Sequence, residues 1–136
     1  MPKILIIDDD KDFVFSMELV LKNHGYAVET AFTPADGIDR VLTATPDLVI
    51  LDVIMPTGYE GFEVARSIRE NNGLLGLPIL MLSNVHSVKQ VSYRFAPDKD
   101  YLPVDVFLDK PSNPEDVLDT IEEILGERRE EPTHPL

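Results

Sequence analysis

The sequence lacks cysteine, is poor in basic residues and contains no long apolar run. With no Cys among its 136 residues, disulfides, thiolate-bound zinc and thiol nucleophiles are excluded. Its 12 Lys and Arg are outnumbered by 25 Asp and Glu, which gives a net charge of −13. Phosphate backbones and anionic lipids repel such a chain, so we expect no direct nucleic-acid binding. The apolar runs are shorter than the roughly 18–20 residues that cross a bilayer, so we expect no membrane insertion. The absence of Cys fits the cytoplasm, where we expect this protein.

Short apolar runs alternate with amphipathic stretches along the chain. Four runs are continuous or nearly so, and a fifth stretch alternates: Ile4–Ile7, Leu48–Leu51, Ile79–Leu82, Val104–Leu108 and Tyr26–Thr30. Runs that are apolar on both faces are typical of parallel strands covered by helices. The resulting (βα)5 pattern predicts an α/β fold, a doubly wound three-layer sandwich around a five-stranded parallel sheet.

Capping residues indicate where the helices begin and end. Asp10 or Asp12 is expected to cap the first helix, and Thr33 the second, because short polar side chains accept from the exposed amides of a first turn. Gly126 is expected to end the last helix, since glycine readily adopts the conformation that terminates one.

The length of the chain allows one ordinary domain and leaves little for a second. We place this domain at residues 1–126. Residues 127–136 are charged and contain proline, and we expect them to form a disordered C-terminal tail. The sequence shows no effector domain after residue 126, so a stand-alone domain is expected.

Polar residues lie at the ends of the apolar runs, and together they suggest a site. Asp8 and Asp9 follow the run Ile4–Ile7, and Asp52 follows the run Leu48–Leu51. Ser83 follows the run Ile79–Leu82, and Lys110 lies two residues after the run Val104–Leu108. In a parallel sheet these ends meet at one edge, where ligands bind. Clustered carboxylates repel one another unless a cation such as Mg²⁺ neutralises them. A lysine and a hydroxyl would add phosphoryl binding, and an aspartate can itself be the nucleophile that forms an aspartyl-phosphate.

Each of these residues alone is also explained without a site. Acids after a strand are often only solvated loop residues or helix caps, and Asp52 alone favours neither interpretation. Ser83 alone is uninformative, and the Lys110–Pro111 pair alone indicates a turn. The inference depends on five polar residues that all occupy predicted strand ends.

In these residues the chain resembles the receiver domain of two-component response regulators, of the chemotaxis-receiver type. The matching pieces cover about residues 3–126 and read ILIIDDD, DLVILDVIMP, EGFEV, PILMLSN and FLDKP. The resemblance implies a flavodoxin-like sheet in the order 2-1-3-4-5. It implies that Asp52 accepts a phosphoryl group from a sensor histidine kinase or a histidine phosphotransfer protein. It also implies Mg²⁺ held by Asp9, Asp52 and the main-chain carbonyl of Ile54, with Asp8 assisting.

The resemblance extends to a conformational switch and to partners. It implies that Lys110 stabilises the phosphoryl group and that Ser83 and Phe107 act as the switch pair. Self-phosphorylation and self-dephosphorylation at Asp52 would then be the only catalysis. The output would be the binding of a downstream protein, and a homodimer is compatible with it.

The chain departs from the pattern of that family in its loops. MPTGYEG is one residue longer than usual, Asn84 replaces a small residue, and the stretch from 84 to 110 is longer than typical. These departures leave open a pseudo-receiver that only binds proteins and is not phosphorylated. A phosphatase of the haloacid dehalogenase type fits poorly, because it needs a second Asp where this chain has Ile54.

Overall fold

Parallel strands and helices alternate along the chain. The computed structural model describes residues 1–52, 60–70, 76–84, 106–110 and 114–130. In this part of the chain the strands are β1 (Lys3–Ile7), β2 (Ala27–Ala31), β3 (Leu48–Asp52), β4 (Ile79–Asn84) and β5 (Val106–Lys110). The helices are α1 (Lys11–Asn23), α2 (Pro34–Ala44), α3 (Glu60–Glu70) and α4 (Pro114–Glu130). The strands form one parallel sheet in the order β2-β1-β3-β4-β5, which confirms the predicted fold class and strand order.

Side chains of the central strands pack alternately into two separate hydrophobic cores, one on each face of the sheet. One core lies between the sheet and the helices α2 and α3, and includes Leu5, Ile7, Val41, Val49, Leu51, Val64, Ala65, Ile68, Ile79 and Met81. The other lies between the sheet and the helices α1 and α4, and includes Ile4, Ile6, Val14, Met17, Leu21, Leu48, Ile50, Leu80, Leu82, Val117 and Ile121. Because successive residues of a strand point to opposite faces, both cores require apolar residues at every position of a central strand.

The structure confirms the predicted N-cap residues of the first two helices. Asp10, rather than Asp12, is the N-cap of α1, where its Oδ1 accepts from the Phe13 amide at 3.2 Å. Thr33 is the N-cap of α2, and its Oγ1 accepts from the Asp36 amide at 3.1 Å. Each cap satisfies an amide that the first helical turn leaves without a partner within the helix.

The predicted end of the last helix is wrong. α4 continues past Gly126 to Glu130, so the first residues of the predicted tail are helical. Glycine ends a helix when it adopts a left-handed conformation, and Gly126, unlike Gly25 with a φ of +89°, does not. The remaining tail residues, 131–136, lie outside the described residues, as does the stretch 85–105 that the pattern predicts to hold a fourth helix before β5.

The strand ends also differ slightly from the prediction. β5 occupies Val106–Lys110 rather than Val104–Leu108, and β4 continues through Ser83 to Asn84. Asp52 is the last residue of β3. Asp52 and Lys110 are therefore the last residues of their strands and Ser83 is the last but one, rather than residues of the loops that follow.

Candidate functional site

The acidic residues lie at the carboxyl edge of the two central strands. β1 and β3 are neighbours, and Ile7 pairs with Leu51 in their register. Asp8 directly follows the first of these paired residues, and Asp52 directly follows the second. Because parallel neighbours run in the same direction, their carboxyl ends bring both acids to the same edge of the sheet.

One oxygen from each of three carboxylates lies within 4.8 Å of the other two, in Asp8, Asp9 and Asp52. Asp8 is 1% exposed and Asp52 is 6% exposed, whereas Asp9 is open to solvent. Burying two like charges side by side is costly unless hydrogen bonds or a cation compensate. A group of carboxylate oxygens with one solvent-facing side is a donor set that suits a hard divalent cation that keeps some of its water, such as Mg²⁺.

Backbone hydrogen bonds fix the position of Asp8. Its amide donates to the carbonyl of Ala31 at 3.0 Å, at the end of β2. Its Oδ1 accepts from the Asp10 amide at 2.9 Å, which bends the chain from β1 into α1. A carboxylate that accepts an amide N–H is stabilised in its charged form.

The other predicted residues are placed by strand register. Asp52 pairs with Leu82, Ser83 with Asp109, and Asn84 with Lys110, so Ser83 and Lys110 lie at the edge that carries the acids. Phe107 pairs with Met81, nearer the middle of the sheet. Ile54 lies outside the described residues. The structure therefore brings together the side chains of the three acids and the backbone positions of Ser83 and Lys110.

The sequence did not predict three contacts made by residues at or near Asp8 and Asp9. These are the Ala31 carbonyl described above, the ring of Phe32, whose centroid lies 5.4 Å from Lys11 Nζ, and the close packing of Gly37 against Ile7. A glycine within a helical pattern was a signal that could have been used, because it costs helix stability and often marks a close approach. The other two depend on how the chain folds back and have no signal in the local sequence.

Comparisons with known proteins agree with this geometry. The family described as "Response regulator receiver domain" matches residues 4–122. The transcriptional regulatory protein AfsQ1 of Streptomyces coelicolor is 41% identical over 83 residues, which are 61% of this chain and 35% of that protein. The response regulator ArlR of Staphylococcus aureus is 32% identical over 125 residues, 92% of this chain and 53% of ArlR. The chain thus spans about a third to a half of the length of these relatives.

Solved structures show the same fold. A CheY-like response regulator receiver domain protein from Methanospirillum hungatei superposes with a TM-score of 0.79 and 27% identity, over 96% of this chain and 98% of the other. The chemotaxis response regulator CheY4 of Vibrio cholerae gives a TM-score of 0.78 and 30% identity, over 91% and 98%. Within the described residues, none of the helices is both long and apolar enough to span a membrane. The fold, the acidic edge and these matches agree, and the chain belongs to the response regulator receiver domain family of two-component signalling.

Proposed function

We propose that this chain is a phosphoacceptor that takes a phosphoryl group onto Asp52 with the help of Mg²⁺, in the cytoplasm. The donor is the phosphohistidine of a sensor histidine kinase or a histidine phosphotransfer protein. The observation that carries the proposal is the acidic trio of Asp8, Asp9 and Asp52. One oxygen from each carboxylate lies within 4.8 Å of the other two, at the edge where the strands of Ser83 and Lys110 also end. A downstream protein then binds the phosphorylated form.

In this proposal Asp52 is the nucleophile. A carboxylate oxygen of Asp52 forms the new P–O bond while the P–N bond to the donor imidazole breaks, and the imidazole leaves with the electron pair. Asp52 is nearly buried, which limits the water that competes for the phosphoryl group. Asp8 and Asp9, with Asp52 and the Ile54 carbonyl, would hold Mg²⁺, which supplies charge neutralisation for the carboxylates and the phosphoryl oxygens.

Lys110 and Ser83 complete the proposed site. An ammonium at Lys110 offsets the charge of the phosphoryl oxygens, and the hydroxyl of Ser83 donates a hydrogen bond to one of them. Ser83 and Phe107 lie on neighbouring strands, since β4 pairs with β5. We propose that this pair changes conformation on phosphorylation and thereby alters a protein-binding surface. A second copy of the chain could bind at this surface and form a homodimer.

Intact mass measurement tests the proposal directly. The protein is incubated with acetyl phosphate, with and without Mg²⁺, as wild type, as Asp52→Asn and as Asp119→Asn. Asp119 is an exposed acid on α4 and serves as the matched control. We expect one phosphoryl adduct on wild type and on the control, dependent on Mg²⁺, and none on Asp52→Asn.

The contrary result is also defined. If wild type gives no adduct with acetyl phosphate, the incubation is repeated with a phosphorylated histidine kinase as donor. If this donor also gives no adduct, the phosphoacceptor proposal is wrong, and the pseudo-receiver that only binds proteins takes its place. An adduct that persists in Asp52→Asn would place the acceptor elsewhere.

A further inference from the structure

Gly37 lies where α2 packs against Ile7 at the end of β1. It is buried in the first turns of α2, and its amide donates to the carbonyl of the cap residue Thr33 at 2.9 Å. A Cβ at this position would lie 2.7 Å from Cδ1, 2.8 Å from Cγ2 and 3.0 Å from Cγ1 of Ile7. Carbon atoms do not approach this closely, so any larger residue would force Ile7 or the helix to move.

Ile7 is enclosed by the core and by both neighbouring strands. Its side chain is fully buried in the core between the sheet and α2 and α3. Its backbone is held on both sides, by pairing with Ala31 of β2 and with Leu51 of β3. A methyl group on Gly37 would therefore displace the end of β1 or push α2 away from the sheet.

The end of β1 is the part of the sheet that carries the acidic trio. Ile7 directly precedes Asp8, and its partner Leu51 directly precedes Asp52. A displacement of Ile7 relative to β3 would change the separation of the two buried carboxylates. Their oxygens are close enough together to share one cation, and a shift well below 1 Å is enough to disturb such a site.

The same segment of chain makes two further contacts, one with the residue that follows β1 and one with the first residue of α1. The Ala31 carbonyl accepts from the Asp8 amide at 3.0 Å, and the ring of Phe32 lies 5.4 Å from Lys11 Nζ. We call residues 31–37 the β2–α2 corner. The corner contacts residues 7, 8 and 11, and this stretch includes Asp8 and Asp9 of the trio.

We propose that Gly37 is a positioning residue of the acidic site, which sets the place of Asp8 relative to Asp52 through its contact with Ile7. The inference rests on the proposed function, because it assigns a supporting residue to the same Mg²⁺ site. Gly37 touches neither the cation nor the phosphoryl group. It acts by having no side chain, which lets α2 hold Ile7 in place.

The test measures Mg²⁺ binding to the full chain by titration calorimetry, with Mg²⁺ alone as the ligand. The variants are Gly37→Ala and, as matched control, Gly126→Ala, where the added methyl group would meet nothing within 4 Å among the described residues. Both changes add the same methyl group to a helix. We expect Gly37→Ala to raise the Mg²⁺ dissociation constant about tenfold, as loss of support around a metal site does, and Gly126→Ala to leave it unchanged.

A double-mutant cycle separates positioning from a general loss of stability. Ile7→Ala removes all three atoms that the new methyl group would meet, so Gly37→Ala should weaken Mg²⁺ binding by a smaller factor in that background. Ile7→Val, which removes only Cδ1, is used in the same way if Ile7→Ala does not fold. The thermal midpoint without Mg²⁺ is recorded for every variant, so that affinity is compared among folded proteins.

The outcomes are distinct. Unchanged Mg²⁺ affinity in Gly37→Ala, or an equal loss in both Ile7 backgrounds, overturns this inference while the proposed function stands. Absence of Mg²⁺ binding in wild type overturns the proposed function, and with it the assignment of Gly37 to that site. A tenfold loss that Ile7→Ala reduces supports both.

Discussion

Asp8 has two roles: its backbone pairs with β2, and its side chain belongs to the acidic trio. Its amide completes the pairing of β1 with β2, and its carboxylate accepts from the amide of Asp10 at 2.9 Å. The side chain is 1% exposed, so it meets little bulk water. A buried carboxylate needs such donors to remain charged, and the turn into α1 supplies one. The local backbone thus supplies a hydrogen-bond donor to one of the three carboxylates at this edge.

Asp10 directly follows Asp9 of the trio and has a structural role as the N-cap of α1. Its Oδ1 accepts from the Phe13 amide, so Asp10→Ala removes a helix cap while Asp10→Asn keeps one. Both variants lose the same negative charge beside Asp8 and Asp9. We therefore expect Asp10→Ala to unfold more easily than Asp10→Asn by about 1 kcal/mol, measured by urea denaturation in the absence of Mg²⁺. Equal stabilities of the two variants would show that the capping hydrogen bond contributes nothing to the free energy of unfolding.

The helices of this protein differ in how their ends are defined. α1 ends at Asn23, where the amides of His24 and Gly25 return to carbonyls of the last turn and Gly25 has a φ of +89°. α4 passes through its glycine without a break. The difference lies in the chain that follows, because glycine permits a left-handed turn but does not impose one.

Gly126 therefore provides a test of the helix boundary. If α4 is continuous there, Gly126→Ala adds a better helix former at a position with no close neighbour in the described part of the chain, and should raise the free energy of unfolding by about 1 kcal/mol. Chemical denaturation of the variant against wild type measures this difference. A loss of stability would mean that residue 126 needs the left-handed conformation and that the helix ends there, as its sequence first indicates.

The elements that were predicted best are those buried on both faces. β1 begins and ends close to its apolar run, because every residue of a central strand meets a core. The edge strand β2 is mostly half-buried and lies one residue from its predicted place, and β5 lies two residues away. An edge strand with weaker burial leaves a weaker pattern, so its boundaries are less well defined by sequence.

The acidic trio could be predicted for a related reason. Strand ends converge whatever the loops do, so Asp8 and Asp52 had to be neighbours once β1 and β3 were adjacent. The contact between Gly37 and Ile7 could not be predicted, because it depends on the distance between a helix and a strand. That distance is set by packing across the whole core, which no local pattern describes.

Acidity is the main electrostatic property of the whole chain. The surface salt bridges include Lys22–Glu18 at 2.9 Å and Arg40–Glu29 at 2.8 Å. Such pairs contribute little to stability. The exposed acids of α4 are Glu115, Asp116, Asp119, Glu122 and Glu123. With a net charge of −13, repulsion among acids destabilises the compact state.

Salt should therefore stabilise this protein. Raising ionic strength from about 0.01 M to about 0.15 M shortens the screening length from about 30 Å to about 8 Å. We expect the thermal midpoint without Mg²⁺ to rise by about 3 °C or more with NaCl, which corresponds to about 1 kcal/mol for a chain of this size. Differential scanning calorimetry measures the shift.

The same measurement on Asp9→Asn identifies the origin of the effect. Asp9 belongs to the trio, so a rise caused by Na⁺ in that site would disappear in the variant, whereas a rise caused by diffuse screening would remain. We expect it to remain. An unchanged midpoint in wild type would show that the excess of acids is already compensated in the folded protein.

The strand order has a further consequence for how this molecule opens. β1 and β3, which end at the buried acids, each have a neighbouring strand on both sides, whereas β5, which ends at Lys110, is the last strand of the described sheet. Amides of central strands exchange their hydrogens with water only when most of the domain unfolds, whereas edge strands open more locally and at lower cost. The acidic half of the edge should then persist through fluctuations that release the strand of the lysine. Local opening of β5, which carries Lys110, can therefore occur while Asp8 and Asp52 keep their positions at the ends of β1 and β3.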